Sequence, residues 1–159
     1  MIFVCTGTQI FQFDRLTKKL DELVADGKVK DKIFAQIGAA EYLPNNYGYK
    51  KFINKDEFAE YLREADVIIS HGGTGALVGA SKIGKNIIAV PRLAKYNEHV
   101  DDHQLQVVSV MEKEGYVRAV YDIDDLGSVI NEALKEPITK VYKRESIVIP
   151  IIEKFIDSL

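Results

Sequence analysis

The 159-residue chain has one cysteine, no tryptophan and four prolines, and no apolar run in it approaches the roughly 20 residues needed to span a bilayer. A single cysteine excludes an internal disulfide and suits a reducing compartment, the cytoplasm. Cys5 lies inside the apolar run Ile2–Thr6, so it reads as a packed thiol rather than a nucleophile. An excess of basic charge is also lacking: 21 Lys and Arg stand against 24 Asp and Glu, a net charge of -3. Nucleic-acid partners call for a basic stripe, so that class is set aside. Met1-Ile2-Phe3-Val4-Cys5 has no basic stretch ahead of its apolar residues and enters a strand directly, which speaks against a secretory leader. The 47% hydrophobic and 28% charged residues are ordinary for one globular domain with a real core.

What the chain does have is Ala65-Asp66-Val67-Ile68-Ile69-Ser70-His71-Gly72-Gly73-Thr74-Gly75-Ala76. The run Val67–Ser70 reads as a buried strand that enters a glycine-rich turn and then a helix. Such a turn aims free backbone N–H groups and the positive end of a helix dipole at one point, which suits a phosphate. A second polar cluster, Asn97-Glu98-His99-Val100-Asp101-Asp102-His103-Gln104, follows the apolar run Ile87–Val90 and Pro91. Two polar loops at the carboxyl ends of strands in a β-α-β succession are where open parallel sheets bind ligands. Together they point to a nucleotide-type ligand.

The remainder alternates strands and helices without a linker or repeat. Strands are expected at Ile2–Thr6, Ile33–Ile37, Tyr47–Ile53 and Val117–Val120. Helices are expected at Phe13–Ala25, Asp56–Glu64 with Asn54 as its cap, Asp101–Lys113, Asp124–Leu134 and Arg144–Ile156. Pro150 should kink the last of these. Right-handed crossovers then give an α/β, doubly wound, Rossmann-like parallel sheet with helices on both faces.

Several motifs compete for the same residues. Gly79-Ala80-Ser81-Lys82-Ile83-Gly84-Lys85-Asn86 nearly spells a P-loop, but it closes a helix instead of opening one, and Asn86 replaces the magnesium-binding hydroxyl. Gly84 reads better as the residue ending the helix, with Lys85 near its negative end. His99 and His103 stand four apart as in a zinc helix, yet Val100 occupies the place of the zincin glutamate and no third ligand is evident. No metal is therefore assigned; either Asp101 or Asp102 caps the following helix, or Glu98, His99, His103 and Gln104 face a ligand. Gly73-Thr74-Gly75 with Gly79 is only a loose dinucleotide fingerprint, without the acidic residue that would bind a ribose. The turn Thr6-Gly7-Thr8-Gln9 reads equally as a plain turn and as a second ligand loop.

The order strand, His-x-Gly-x-Gly, helix, Gly-Lys, strand ending in Pro91-Arg92, then Glu98-His99 through His103-Gln104 resembles the C-terminal, donor-binding half of MurG-like glycosyltransferases. The likeness runs from Phe3-Val4-Cys5-Thr6-Gly7-Thr8-Gln9 to Gly115-Tyr116-Val117. It is nearest to free-standing versions of that half: the soluble subunit of the dolichol-pathway N-acetylglucosaminyltransferase, and the small subunits of two-part bacterial exopolysaccharide and capsule glycosyltransferases.

The resemblance implies the C-terminal half of a GT-B enzyme, transferring a hexose-type sugar from a UDP-sugar to a lipid-linked acceptor without a cofactor. Gly7, Thr8, His71, Gly72, Gly73, Thr74 and Gly75 would serve the diphosphate. Glu98, His103 and Gln104 would serve the ribose and sugar hydroxyls, with His99 among the substrate-binding residues beside them. Gly79 stands where such enzymes carry an acidic residue for the ribose. The acceptor site and general base would come from a membrane-associated partner subunit, which alone would bring the chain to the membrane. The apolar segment 144–158 is the candidate docking element, and packing on its own sheet is the alternative. A nucleotide-sugar-binding regulator without transferase activity is the competing class; UDP-sugar epimerases share the sheet but need two domains in one chain.

Overall fold

The computed structural model describes residues 1–143 and 148–158. Six parallel strands form one sheet: β1 (Ile2–Cys5), β2 (Ile33–Gln36), β3 (Gly48–Lys50), β4 (Val67–His71), β5 (Ile87–Val90) and β6 (Arg118–Ala119). Their order is β3-β2-β1-β4-β5-β6, the doubly wound arrangement expected from sequence. Among the described residues six α-helices accompany them: α1 (Asp14–Ala25), α2 (Lys55–Glu64), α3 (Thr74–Lys82), α4 (His103–Lys113), α5 (Leu126–Lys135) and α6 (Val148–Ile156).

Strand alternation divides the core into two layers. Ile2 and Val4 of β1 point to one face with Val67 and Ile69, where they meet Leu16 and Leu20 of α1 and Ile130 of α5. Phe3 and Cys5 point to the other with Ile68, Ile87 and Ala89, against Leu77 of α3, Val108 and Met111 of α4, and Ile152 of α6. Both faces are covered, which is why β1, β4 and β5 are nearly continuous apolar runs. Helix α2 adds an aromatic stack to the second layer: Tyr61 lies 4.1 Å from Phe34 and 5.4 Å from Phe3. Asn54 caps α2 reciprocally, accepting from Glu57 N–H at 2.8 Å while the Glu57 carboxylate accepts from Asn54 N–H at 3.3 Å.

Several local expectations are corrected. Helix α4 starts at His103 rather than Asp101, and β3 is limited to Gly48–Lys50. Gly84 does end α3, in the left-handed region at φ 65°, but Lys85 serves another helix. Its Nζ donates to the carbonyls of Arg63 and Ala65 at the end of α2, the latter at 2.8 Å. Helix α6 begins at Val148; the expected portion 144–147 lies outside the described residues. Pro150 is in its first turn, where a missing N–H breaks no helical bond, so it produces no mid-helix kink. Cys5 is buried and burial pushes its thiol up to about 11, as a packed cysteine should be.

Candidate functional site

In this strand order the chain path reverses direction between β1 and β4, and the carboxyl ends of those strands open a crevice. Gly7 and Thr8 leave β1 on one side, and Gly73 and Gly75 follow β4 on the other. With His71 they line a cavity of about 550 Å³. Its far wall comes from β2 and the start of α2: Gln36, Ile53, Asn54, Lys55 and Phe58.

His71 explains the glycines. Its Nδ1 lies 3.3 Å from the Cys5 carbonyl, which can only accept, so Nδ1 carries the proton. A Cβ on Gly73 would stand 2.2 Å from Nε2, and one on Gly7 would stand 2.8 Å from it. The ring therefore fills the gap between the two turns, and no side chain fits at either neighbour. Gly7 is also at φ 83°, a second reason for glycine. Burial, reinforced by the charge of Arg92, pushes His71 down to about 4, so the ring is neutral at ordinary pH.

The first turn of α3 has no side-chain cap, and Gly73 occupies the capping position in an extended conformation. The N–H groups of Thr74, Gly75 and Ala76 thus open the helix with no intrahelical acceptor. A Cβ at Gly75 would meet nothing within 4 Å, so space lies in front of these amides. Gly72 lies beneath: its N–H donates to Gln104 Oε1 at 3.1 Å, and the same oxygen accepts from Arg92 N–H at 3.0 Å. Gln104 is buried and ties the glycine loop to the end of β5.

The second loop is built around two ion-bearing side chains. Glu98 is fully buried, with its oxygens 2.8 and 2.9 Å from Nε and Nη2 of Arg15, and it also accepts Leu93 N–H at 2.9 Å. Glu98, expected to face a ligand, has both oxygens bonded within the protein, where they hold the loop to α1. Arg92, also buried, donates to the carbonyls of Thr6, Phe11, Gln12 and Glu98, the last three at 3.1, 2.8 and 3.2 Å. It fastens the Gly7 loop to the loop after β5. Burial lowers its guanidinium to about 10, against the opposing pull of Glu98.

His99 and His103 stand outside the wall of the main cavity. Their rings meet edge-on at 4.6 Å, and His99 packs on Phe11 at 5.5 Å. Burial and the neighbouring His103 push His99 below the ordinary imidazole range. With Asp101 the two histidines place three possible metal donors within 4.8 Å of one another. Asp101 supplies the third donor missing from the sequence reading, but two of the three already hydrogen-bond to each other. His99 Nδ1 accepts Asp101 N–H at 3.3 Å, and Asp101 Oδ1 is paired with His103.

The structure thus gathers Gly7, Thr8, His71, Gly73 and Gly75 around one cavity, with Thr74 beside them at the start of α3. Gly72 and Gln104 support it from below. Gln36, Ile53, Lys55 and Phe58 escaped the sequence reading, because only strand order reveals that the ends of β2 and β3 adjoin the switch point. Asn54 was legible only as a cap.

Residues 1–154 match the model of the glycosyltransferase family 28 C-terminal domain. The chain belongs to that family. The human UDP-N-acetylglucosamine transferase subunit ALG13 is 26% identical over 133 residues, 73% of this chain and 10% of the human protein. The subunit of the same name from Candida albicans is 29% identical over 85 residues, 54% of this chain and 26% of that protein. The chain therefore spans a minor part of the relatives it matches. Among solved structures, Acinetobacter baumannii MurG superposes on 99% of this chain and 49% of its own, with a TM-score of 0.59 at 17% identity. That likeness shows the fold, the Rossmann-like α/β architecture expected from the sequence.

Proposed function

We propose that this chain is the UDP-sugar-binding subunit of a split glycosyltransferase. It would move a hexose-type sugar from a nucleotide diphosphate to a lipid-linked acceptor in exopolysaccharide or capsule synthesis, together with a membrane-associated subunit carrying the acceptor site. The observation that carries the reading is the switch-point cavity, where the Gly7 turn and the uncapped start of α3 flank a neutral His71.

Transfer from a nucleotide diphosphate develops negative charge on the departing diphosphate. Fixed amides at Thr74, Gly75 and Ala76, aligned with the α3 dipole, answer that charge without reorganising. The half-buried Ile53 and Phe58 offer an apolar wall for the base at one end of the cavity. The sugar then extends toward His99 and His103, next to Gln104. A Cβ at Gly79 would meet nothing within 4 Å, so the helix face that lacks an acidic residue for the ribose is open. No metal or cofactor enters this scheme.

The acceptor and general base belong to the partner. Helix α6 suits the docking role: Ile152 anchors it in the core, while Ile151 is 58% exposed and Phe155 38% exposed. These two and Val110 border a small apolar cavity of about 170 Å³. Among the described residues no helix is long and apolar enough to cross a membrane, so on this reading membrane contact and a cytoplasmic, peripheral location come through the partner.

Purified chain should show no more than trace turnover with UDP-sugars, and addition of the membrane-associated partner should restore it. Positioning of the two reactants is worth roughly 7–11 kcal/mol of barrier, so its absence should nearly abolish the reaction. Full turnover by the single chain on a water-soluble acceptor would refute the half-enzyme reading. UDP-sugar binding with no activity beside any partner would favour a regulator.

A further inference from the structure

The segment before α4 contains an arrangement that the donor-site reading does not use. Asp101 Oδ1 accepts the backbone N–H of His103 at 3.1 Å and also pairs with Nδ1 of the His103 ring. A carboxylate only accepts, so Nδ1 carries a proton, and the tautomer this selects has its lone pair on Nε2. His99 closes the other side: its ring stands edge-on to His103, and its Nδ1 accepts Asp101 N–H at 3.3 Å. Held between these groups, the His103 side chain is still 22% exposed. The next residue, Gln104, bonds Gly72 N–H at 3.1 Å, which sets His103 beside the loop that opens α3.

We infer that Asp101 is a positioning residue: it fixes His103 in the Nδ1–H tautomer so that Nε2 accepts a hydrogen bond from a hydroxyl of the donor sugar. The inference rests on the donor-site reading above. The groups facing the ring are the Asp101 carboxylate and His99, with Arg92 acting through His99. Asp101 is itself 51% exposed, so it contributes little packing; its structural consequence is the orientation of the two imidazoles, His103 and also His99, whose Nδ1 lies 3.2 Å from the same Oδ1. A metal held through the three donors would have to displace both the His103–Asp101 bond and the Asp101 N–H to His99 bond. The intact pairs favour a proton between Asp101 and His103.

The test combines imidazole nitrogen NMR on ¹⁵N-labelled protein with titrations of UDP and of UDP-sugars. Wild-type His103 should carry its proton on Nδ1, and Asp101→Ala should release the ring into a mixture of tautomers. Asp101→Ala should leave UDP affinity within about twofold and lower UDP-sugar affinity roughly 2- to 12-fold, the size of one ordinary hydrogen bond. In a His103→Gln background, where no tautomer needs fixing, Asp101→Ala should cost nothing further. A wild-type proton on Nε2, an unchanged UDP-sugar affinity in Asp101→Ala, an additive double variant, or stoichiometric zinc bound through His99 and His103 would each overturn the assignment. Failure of wild-type protein to bind UDP at all would overturn the donor-site reading instead, a result independent of the nitrogen spectra.

Discussion

Arg15 and Glu98 form a two-pronged ion pair, with Nε to Oε1 at 2.8 Å and Nη2 to Oε2 at 2.9 Å, that ties the first turn of α1 to the loop after β5. The Glu98 side chain is fully enclosed and that of Arg15 is 15% exposed, so the pair is largely shielded from solvent.

Arg15→Ala should therefore cost about 3–5 kcal/mol, the penalty for leaving a buried charge unpaired. The double variant Arg15→Met/Glu98→Met should cost less than the sum of the two single changes, because it removes both charges at once. Urea unfolding of the four proteins measures this. Simple additivity would show that the pair is not coupled.

The glycines of the loop should separate into structural and functional ones. Gly73→Ala drives a Cβ to 2.2 Å from His71, and Gly72→Ala drives one to 2.7 Å from the Gln104 Cβ, so both should lower the melting temperature. Gly75→Ala meets nothing within 4 Å and should stabilise by about 0.5–1 kcal/mol through helix propensity. Differential scanning calorimetry distinguishes them; a destabilised Gly75→Ala would contradict the open space in front of α3.

His71 should make stability fall in mild acid. Its folded value of about 4 lies below the ordinary 6.5, so between those limits the unfolded chain binds a proton that the folded chain refuses. Stability contributed by the neutral ring is intact above pH 6.5, declines as pH drops toward 4, and is fully lost below that. From pH 6.5 to 5 the loss should be about 2 kcal/mol. Urea midpoints at pH 7 and 5 check it, and a His71→Asn variant should lack this component. An identical pH slope in that variant would remove His71 as the cause.

Truncation before Val148 should abolish co-purification with the membrane-associated partner. Ile152 is also lost from the core, so the truncated protein should melt earlier yet still bind UDP, since α6 lies outside the switch-point cavity. A pull-down that succeeds without α6 would move the docking surface elsewhere.

Much of this is legible in the amino-acid sequence. Val67–Ser70 announces itself as a buried strand, one residue short of β4, and the following glycine-rich turn as the opening of a helix, because both signals are local. The Glu98–Gln104 segment was legible as a polar loop, but not its internal wiring. Arg15 lies 83 residues from Glu98, and no local spacing joins them. Arg92 was visible only as part of the Pro91-Arg92 likeness, while its four carbonyl partners lie in two loops far apart in sequence. Gln36, Ile53 and Phe58 became part of the site through strand order, which periodicity does not encode. Sequence proximity places Lys85 at the end of α3, whereas its Nζ donates to the carbonyls of Arg63 and Ala65 at the end of α2.

The central claim is that the switch-point cavity binds the diphosphate of a UDP-sugar, and calorimetric titration of the isolated chain with UDP tests it most directly. Gly75→Val is the decisive companion, since its side chain enters the space before the α3 amides. The account predicts saturable one-to-one binding by the wild-type protein, unaffected by EDTA, and at least a tenfold weaker affinity, about 1.4 kcal/mol, in a folded Gly75→Val protein. Equal UDP affinity in the two proteins, or no binding by the wild type, would contradict it.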